Sequence, residues 1–238
     1  MKQKLYTIPV NEAFEKDCEC PLCVLYDTLE KENIEYVMGS SYMVDDIRMQ
    51  TNELGFCSHH IKLMYKNQNR QGLALMLLTH MQTTNEEIKK RMGGKPKGKS
   101  LFNKKTGDPL ADYLKKLNSA CFVCERITPV FERFLDTVVH SYQHEPDFKA
   151  LFKKGKGFCT EHFSMLRETA LNKLSGTLLE EFIEDLNRLY IENMQRVTDD
   201  LEWFTDKFDY RYADAPWKNS KDALPRSIIK TNHTILEE

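Results

Sequence analysis

Cys20-Pro-Leu-Cys23 returns 101 positions later as Cys121-Phe-Val-Cys124. Gly55-Phe-Cys57-Ser-His-His60 returns 102 positions later as Gly157-Phe-Cys159-Thr-Glu-His162. Two cysteines separated by two residues can direct both sulfurs at one cation, and a second pair of ligands then completes a tetrahedron. The sequence therefore predicts a duplicated metal-binding module with three thiolates and one imidazole at each site.

This ligand set indicates structural zinc. Zinc in structural sites has four protein ligands, whereas catalytic zinc keeps one position for water or substrate. Iron or an iron–sulfur cluster is the alternative cofactor, although a histidine ligand is the minority case in such clusters. We expect two zinc ions per chain, bound by Cys20, Cys23, Cys57, His60, Cys121, Cys124, Cys159 and His162.

The stretches between the motifs predict helical hairpins. Apolar residues recur with a spacing near 3.6 after Cys23, and Gly39-Ser-Ser41 interrupts them before a second helical stretch that ends near Leu54. Two antiparallel helices of similar length would return Cys57 to the level of Cys20. Each CxxC is therefore expected to share its metal with the CxxH that follows it, within one repeat.

The rest of the chain also has helical patterns and no stretch that alternates like a β-strand, so the predicted fold class is all-α. We expect one long helix over residues 58–88, a short one over 109–117, and a third after Cys124 that has Pro129 in its first turn. The longest amphipathic stretch, 177–208, opens with a possible capping box. Its acidic residues are expected on a solvated face rather than in a metal cluster: Glu180, Glu181, Glu184, Asp185, Asp199 and Asp200.

These patterns divide the chain into four parts. Residues 1–92 form a first metal-binding helical repeat, and residues 93–108 form a basic, flexible connector. Residues 109–176 form the second metal-binding repeat. Residues 177–238 form a long helix and a tail, which are expected to pack on both repeats in one compact unit.

The basic connector raises a second alternative function, a nucleic-acid-binding or regulatory module. Residues 89–105 hold eight basic residues and no acidic one. Only Phe102 could stack on a base there, whereas single-strand binding surfaces combine charge with several aromatic side chains. The net charge of −2 gives the whole chain no attraction for nucleic acid or for an anionic membrane. We therefore expect a protein partner instead.

The cysteine count and the N-terminal sequence predict a cytoplasmic protein. Seven cysteines are an odd number, and MKQKLYTIPVNEAF lacks the apolar core of a signal peptide. Thiols stay reduced in the cytoplasm and remain available to a metal. The longest apolar run, Leu73 to Leu78, is far shorter than the roughly 20 residues of a membrane-spanning helix.

Three residues near the motifs have alternative interpretations. Cys18 could replace a ligand or form a redox pair, but it is expected to be a spectator thiol. His59 could replace His60, yet the alignment of the two repeats favours His60. His80 lies in an apolar helical pattern and is expected to be a hydrogen-bonded core histidine.

Motifs of common enzyme classes are absent from the sequence, including a nucleophile elbow, a phosphate-binding glycine loop, HExxH and a Rossmann fingerprint. A binding or scaffolding protein is therefore favoured over an enzyme. Together with the tail segments Lys207-Phe-Asp-Tyr-Arg211 and Lys221-Asp-Ala-Leu-Pro-Arg226 and with Trp217, the duplicated motifs resemble DUF6062, a bacterial family of unknown function. The resemblance covers nearly the whole chain. It implies the same eight ligand positions and no activity, and it leaves Cys18 and His59 outside the pattern.

Overall fold

The computed structural model describes residues 4–92 and 108–236. Within these ranges the chain forms eleven α-helices, two short 3-10 turns and no β-strand, so the predicted all-α class is confirmed. Residues 93–107 of the connector predicted at 93–108, and with them most of the basic segment 89–105, lie outside the described residues. In chain order the helices are α1 (Lys4–Glu15), α2 (Pro21–Met38), α3 (Asp45–Leu54), α4 (Ser58–Lys66), α5 (Arg70–Met92), α6 (Pro109–Ser119), α7 (Phe122–His144), α8 (Pro146–Lys154), α9 (Thr160–Lys173), α10 (Gly176–Asp206) and α11 (Ala223–Asn232).

The two helices of each predicted hairpin differ greatly in length. Helix α2 has 18 residues and α3 has 10, while α7 has 23 and α8 has 9. At a rise of about 1.5 Å per residue, α2 is about 27 Å long and α3 about 15 Å. The prediction of two helices of similar length in the first hairpin is therefore wrong, because α3 covers only about half of the length of α2.

The prediction of a single helix over residues 58–88 is also wrong, because residues 67–69 are not helical and separate α4 from α5. The Asn67 side chain accepts the Asn69 backbone N–H at 3.0 Å, and the Asn69 side chain accepts the Gly72 backbone N–H at 2.9 Å. Asn69 also donates to the Met38 carbonyl at 2.7 Å. Asparagine side chains that bond to nearby backbone compete with a continuous helix, and here they end one helix and start the next.

Helix α7 begins earlier than the sequence predicted. Pro129 lies inside the helix, so its placement in the first turn is wrong. The Cys121 carbonyl already accepts the Glu125 backbone N–H at 3.0 Å. The CxxC motif itself therefore starts the helix, and the missing N–H of Pro129 is tolerated further along.

The chain divides into two compact units, and the boundaries fall inside α2 and α7. One unit comprises the described part of Leu29–Pro129. In it, α5 contacts α3, α4 and α6. Its buried apolar side chains include Ile34, Val37, Met38, Ile47, Met64, Leu73 and Met76.

The other unit comprises the described parts of Met1–Thr28 and Val130–Glu238. Helices α9, α10 and α11 contact one another, and α1 contacts α8. The unit has an aromatic core, in which the Phe152 ring lies 5.2–6.0 Å from the rings of Phe14, Tyr142, Phe158 and Phe182. Rings at these separations bury a large apolar area and also interact edge to face.

Two details of α10 differ from the sequence-based expectations. The helix begins at Gly176 after Ser175, without a side-chain cap, so no capping box forms at Thr177. Asp185 was expected on a solvated face, but it is buried and accepts the Tyr142 hydroxyl at 2.5 Å. Among the described helices, none is both long and apolar enough to cross a bilayer.

Candidate metal centres

The eight predicted ligands collect in two clusters. Site A consists of Cys20, Cys23, Cys159 and His162, and site B of Cys57, His60, Cys121 and Cys124. In each site the four ligand atoms lie within 4.8 Å of one another. The predicted composition of three cysteines and one histidine is therefore found twice.

The pairing of the motifs differs from the prediction. The CxxC of each repeat meets the CxxH of the other repeat, so the expectation of one site within each repeat is wrong. The short helices α3 and α8 explain this result, because neither can carry the chain back along the whole length of α2 or α7. Site A lies in the unit that contains both termini, and site B lies in the unit formed by Leu29–Pro129.

The distances within each cluster suit a single cation. In site A, His162 Nδ1 lies 3.4 Å from the sulfurs of Cys20 and Cys23 and 3.2 Å from that of Cys159. Zinc bonds of about 2.3 Å to sulfur and about 2.0 Å to nitrogen give a tetrahedral edge of about 3.5 Å. The sulfur–nitrogen distances of site A are therefore close to those of a zinc tetrahedron.

Site B repeats this geometry. His60 Nδ1 lies 3.2 Å from Cys57 Sγ and 3.3 Å from the sulfurs of Cys121 and Cys124. Both histidines thus present Nδ1 to the three sulfurs. The two sites offer the same donor atoms in the same arrangement.

Each half of a site is the start of a helix. Cys57 and Cys159 are the N-cap residues of α4 and α9, and each sulfur accepts the backbone N–H of the histidine three residues later. Cys20 and Cys121 directly precede α2 and α7. Four helix N-termini therefore direct their positive dipole ends at the sulfurs, which favours the thiolate form.

The glycine of each GFCxxH motif is required by the backbone and by close packing. Gly55 has φ +60° and Gly157 has φ +76°. A Cβ on Gly55 would lie 2.7 Å from the His80 ring, and one on Gly157 would lie 2.7 Å from the Leu189 carbonyl oxygen. The chain turns here just before the N-cap cysteine, and a side chain would displace the motif.

The two sites differ in what supports the histidine ligand. At site B, His60 Nε2 lies 3.1 Å from Glu30 Oε1, so the imidazole can donate to a carboxylate while Nδ1 faces the sulfurs. At site A, the residue that corresponds to Glu30 in the other repeat, 101 positions later, is Phe131. Its ring lies 5.1 Å from the His162 ring and offers no carboxylate. A carboxylate on the far nitrogen orients a metal-bound histidine and makes it a stronger ligand. Only site B has this support from the corresponding position.

A buried lysine connects the two halves of site A. Lys230, on α11, is 1% exposed, and its Nζ donates to the carbonyl oxygens of Glu19 at 2.7 Å and Lys156 at 2.5 Å. Glu19 precedes Cys20, and Lys156 precedes the Gly157 turn. The ammonium also lies 3.3 Å from the Glu19 carboxylate, which Arg196 contacts at 2.5 Å. The C-terminal helix therefore fastens together the backbone segments that lead into site A.

Site B has a direct backbone bond instead. The Phe122 N–H donates to the Gly55 carbonyl at 2.9 Å, which joins the CxxC to the CxxH. The corresponding residue beside Cys20 is Pro21, which has no N–H to donate. Lys230 thus supplies at site A a connection that the backbone supplies at site B.

The protonation of the metal-free ligands follows from these contacts. Burial opposes the charged form of His60, but bonds with Cys121 and Glu30 raise its pKa to about 10. Burial likewise opposes ionisation of Cys121, but the hydrogen bond from His60 lowers its pKa to about 6. At site A, hydrogen bonds from Cys20 and Cys23 lower the pKa of Cys159, while burial raises that of Cys20 to about 12. In each site one thiol, Cys159 or Cys121, is therefore favoured for ionisation, and metal binding must displace the protons of the others.

The residues beside the motifs take no part in either set of four ligands. Cys18 is half-buried, with its sulfur 3.9 Å from the Ala13 carbonyl. His59 is exposed and lies 2.9 Å from Glu30 Oε1. His80 is hydrogen-bonded, as predicted, through Nδ1 to the Asn52 carbonyl at 2.8 Å, but it is half-buried and not in the core.

Sequence reasoning missed Glu30 and Lys230. Glu30 lies on the same helix as Cys23, a ligand of site A, so its place in the sequence gives no signal for a contact with His60 at site B. Lys230 likewise has no signal, because a lysine in a short amphipathic helix normally faces solvent.

The fold and the two clusters define an all-helical protein with two candidate metal centres of three cysteines and one histidine. The chain belongs to DUF6062, a family of unknown function, whose family model matches residues 1–238. No curated protein and no solved structure gives a significant match.

Proposed function

We propose that this protein binds two zinc ions, one in site A and one in site B, and that the ions hold helix N-termini together in a binding or scaffolding protein. The observation that carries the proposal is the convergence of three sulfurs at 3.2–3.4 Å on one imidazole nitrogen in each site. Four protein ligands fill a tetrahedral shell and leave no position for a substrate. This ligand set favours a structural role over catalysis.

A single ion is favoured over an iron–sulfur cluster. All four ligand atoms of each site lie within 4.8 Å of one another. In a cluster, the ligands are shared among several irons and stand further apart, and histidine is the minority ligand. Mononuclear iron remains the alternative cofactor, and metal analysis distinguishes it from zinc.

The nucleic-acid alternative receives little support from the described part of the basic segment. Lys90 bonds Glu87 at 3.1 Å, and Arg91 bonds the same carboxylate while its guanidinium lies 4.3 Å above the Tyr113 ring. The positive charges of Lys90 and Arg91 therefore already have partners within the protein. A protein partner is favoured instead, since Phe208 and Tyr210 beyond α10 expose 77% and 88% of their surface.

The proposal is tested by elemental analysis of the protein purified from its native host without added metal. We expect two zinc ions per chain and a colourless protein. Replacement by cobalt should give the visible absorption bands of tetrahedral thiolate coordination at twice the intensity of a one-site variant. Stoichiometric iron with visible absorption in the untreated protein would refute zinc, and the absence of any bound metal would refute the proposal as a whole.

We expect these sites to operate in a reducing compartment such as the cytoplasm. All seven cysteines are free thiols, and six of them belong to the two clusters. An oxidising compartment would favour disulfides between sulfurs held this close together.

A further inference from the structure

We propose that the two sites have different tasks: site A keeps its metal permanently, whereas site B exchanges its metal with thiophilic divalent cations in solution through an entry pair formed by His59 and Glu30. This inference rests on the proposed metal binding and goes beyond it. It assigns a metal-exchange function to one site and a role to two residues outside both ligand sets.

The ligands of the two sites differ in access to solvent. All four side chains of site A are buried, and none is more than 3% exposed. At site B, His60 and Cys121 are buried, but Cys57 and Cys124 are only half-buried. An incoming ligand can therefore approach the metal at site B from the side of these two sulfurs.

The surroundings of site A oppose the opening that exchange requires. Lys230 ties the segments before Cys20 and Gly157 to each other, and its ammonium is held by Glu19. Its ammonium donates to the carbonyl of Glu19, the residue directly before Cys20, so a positive charge lies on the backbone that leads into site A. Release from site A would require this buried lysine to be displaced.

Site B has additional ligand atoms at its rim. His59 Nε2 lies 2.9 Å and His60 Nε2 3.1 Å from the same Glu30 oxygen, so one carboxylate joins an exposed imidazole to a buried ligand. The His59 side chain is 62% exposed and that of Glu30 13%. Imidazole and carboxylate are both zinc ligands, so the pair can hold an arriving cation beside His60 Nε2, across the imidazole ring from the thiolates that surround Nδ1.

Exchange at site B is a substitution of coordination bonds. If site B holds a divalent cation, the first bond to break would be one from Cys57 or Cys124, and a water molecule or a thiol from solution would replace that sulfur on the outgoing cation. The freed thiolate would then bind the incoming cation. Glu30 keeps His60 in place during this step, so the half-buried sulfurs are the ligands that leave.

The test measures the exchange of bound zinc for an isotopically enriched zinc salt by native mass spectrometry of the full-length, two-zinc protein. We expect two phases of equal amplitude, with the first at least about tenfold faster. Iodoacetamide labelling assigns the phases: each alkylated sulfur gains a carbon bond as iodide leaves. Cys57 and Cys124 should be labelled together with the fast phase, and the non-ligand Cys18 serves as an internal standard.

Three variants separate the roles. His59→Ala should slow the fast phase several-fold and leave the stoichiometry at two, whereas His144→Ala, at an exposed histidine outside the clusters, should change neither. Lys230→Met should accelerate the slow phase. A variant that fails to fold leaves the wild-type measurement decisive.

A single phase, or a fast phase that labels Cys20, Cys23 and Cys159 first, would overturn the inference while leaving the proposed zinc binding intact. If the rates of both phases were unchanged in His59→Ala, the role proposed for the entry pair of His59 and Glu30 would be refuted. A protein that takes up no zinc would overturn both proposals, so the two failures are distinguishable.

Discussion

The crossed pairing of the motifs can be tested by removing four ligands at a time. A site variant replaces Cys20, Cys23 and Cys159 by serine and His162 by alanine. It removes every ligand of site A and leaves all four ligands of site B in place. We therefore expect it to bind one metal ion, where the wild-type protein binds two.

A repeat variant carries the same number of changes in a different combination. It replaces Cys20, Cys23 and Cys57 by serine and His60 by alanine. Each site then retains two of its four ligands, which cannot complete a tetrahedral shell. We expect no tightly bound metal in this variant.

An intact site binds metal so much more tightly than two leftover ligands that counting the bound ions is sufficient. Apparent binding free energies of structural zinc are about 10–16 kcal/mol at neutral pH, so an intact site stays filled through gel filtration. Bound metal is counted by elemental analysis or by a chromogenic chelator after thiol modification. If metal were held within each repeat, the counts would reverse, with none in the site variant and one in the repeat variant. A site variant without metal would refute the pairing described here, provided that its circular dichroism remains helical.

Three further predictions concern stability. Burial opposes ionisation of Asp185, but hydrogen bonds from Tyr142, Lys153 and Arg188 lower its pKa below the ordinary 3.8. The stability that this carboxylate provides is therefore present above pH 3.8 and is lost as the pH falls further. Asp185→Asn should lower the free energy of unfolding in urea by about 1.5–3 kcal/mol at pH 7, and the stability of the variant should fall less steeply below pH 3.8. Deletion of residues 213–238 removes Lys230 and should lower both the melting temperature and the zinc content of site A, whereas deletion of 234–238 alone should change neither. A strong chelator at neutral pH should increase amide hydrogen exchange at the starts of α2, α4, α7 and α9. The middle of α10 should stay protected, because the aromatic side chains that pack around Phe182 do not depend on metal. Unchanged exchange at all four helix starts would contradict the structural role.

The helical class and the eight cysteines and histidines that form the two clusters could be predicted because both signals are local. A spacing of two residues between ligands and an apolar period near 3.6 depend only on the nearest turns of the chain. The helix predicted from residue 58 also begins there, with Cys57 as its N-cap. Local chemistry was thus sufficient to identify the parts of each site.

The pairing could not be predicted because it depends on lengths that small breaks decide. The 3-10 turn Ser40–Met43 uses residues that the sequence pattern assigns to the second helix, which leaves α3 with only ten residues. In the second repeat, α7 extends to His144 and α8 has only nine residues before Gly155 ends it. The roles of Glu30 and Lys230 depend on contacts over 30 and 211 residues of sequence, which no local pattern reports.

The crossed pairing also fixes the order in which the sites can close during synthesis. The first four ligands to leave the ribosome, in residues 20–60, contain half of each site and no complete one. In the sequence, the contacts of site B join residues 61 and 64 apart, and they lie within the longer loop closed by site A, whose contacts join residues up to 142 apart. Site B can therefore close first and shorten the free chain that site A must still bring together. Until residue 124 emerges, a cation could instead bridge Cys20, Cys23, Cys57 and His60 in a non-native shell. The supply of metal during translation is therefore a variable in the folding of this chain, with early zinc favouring a trapped intermediate.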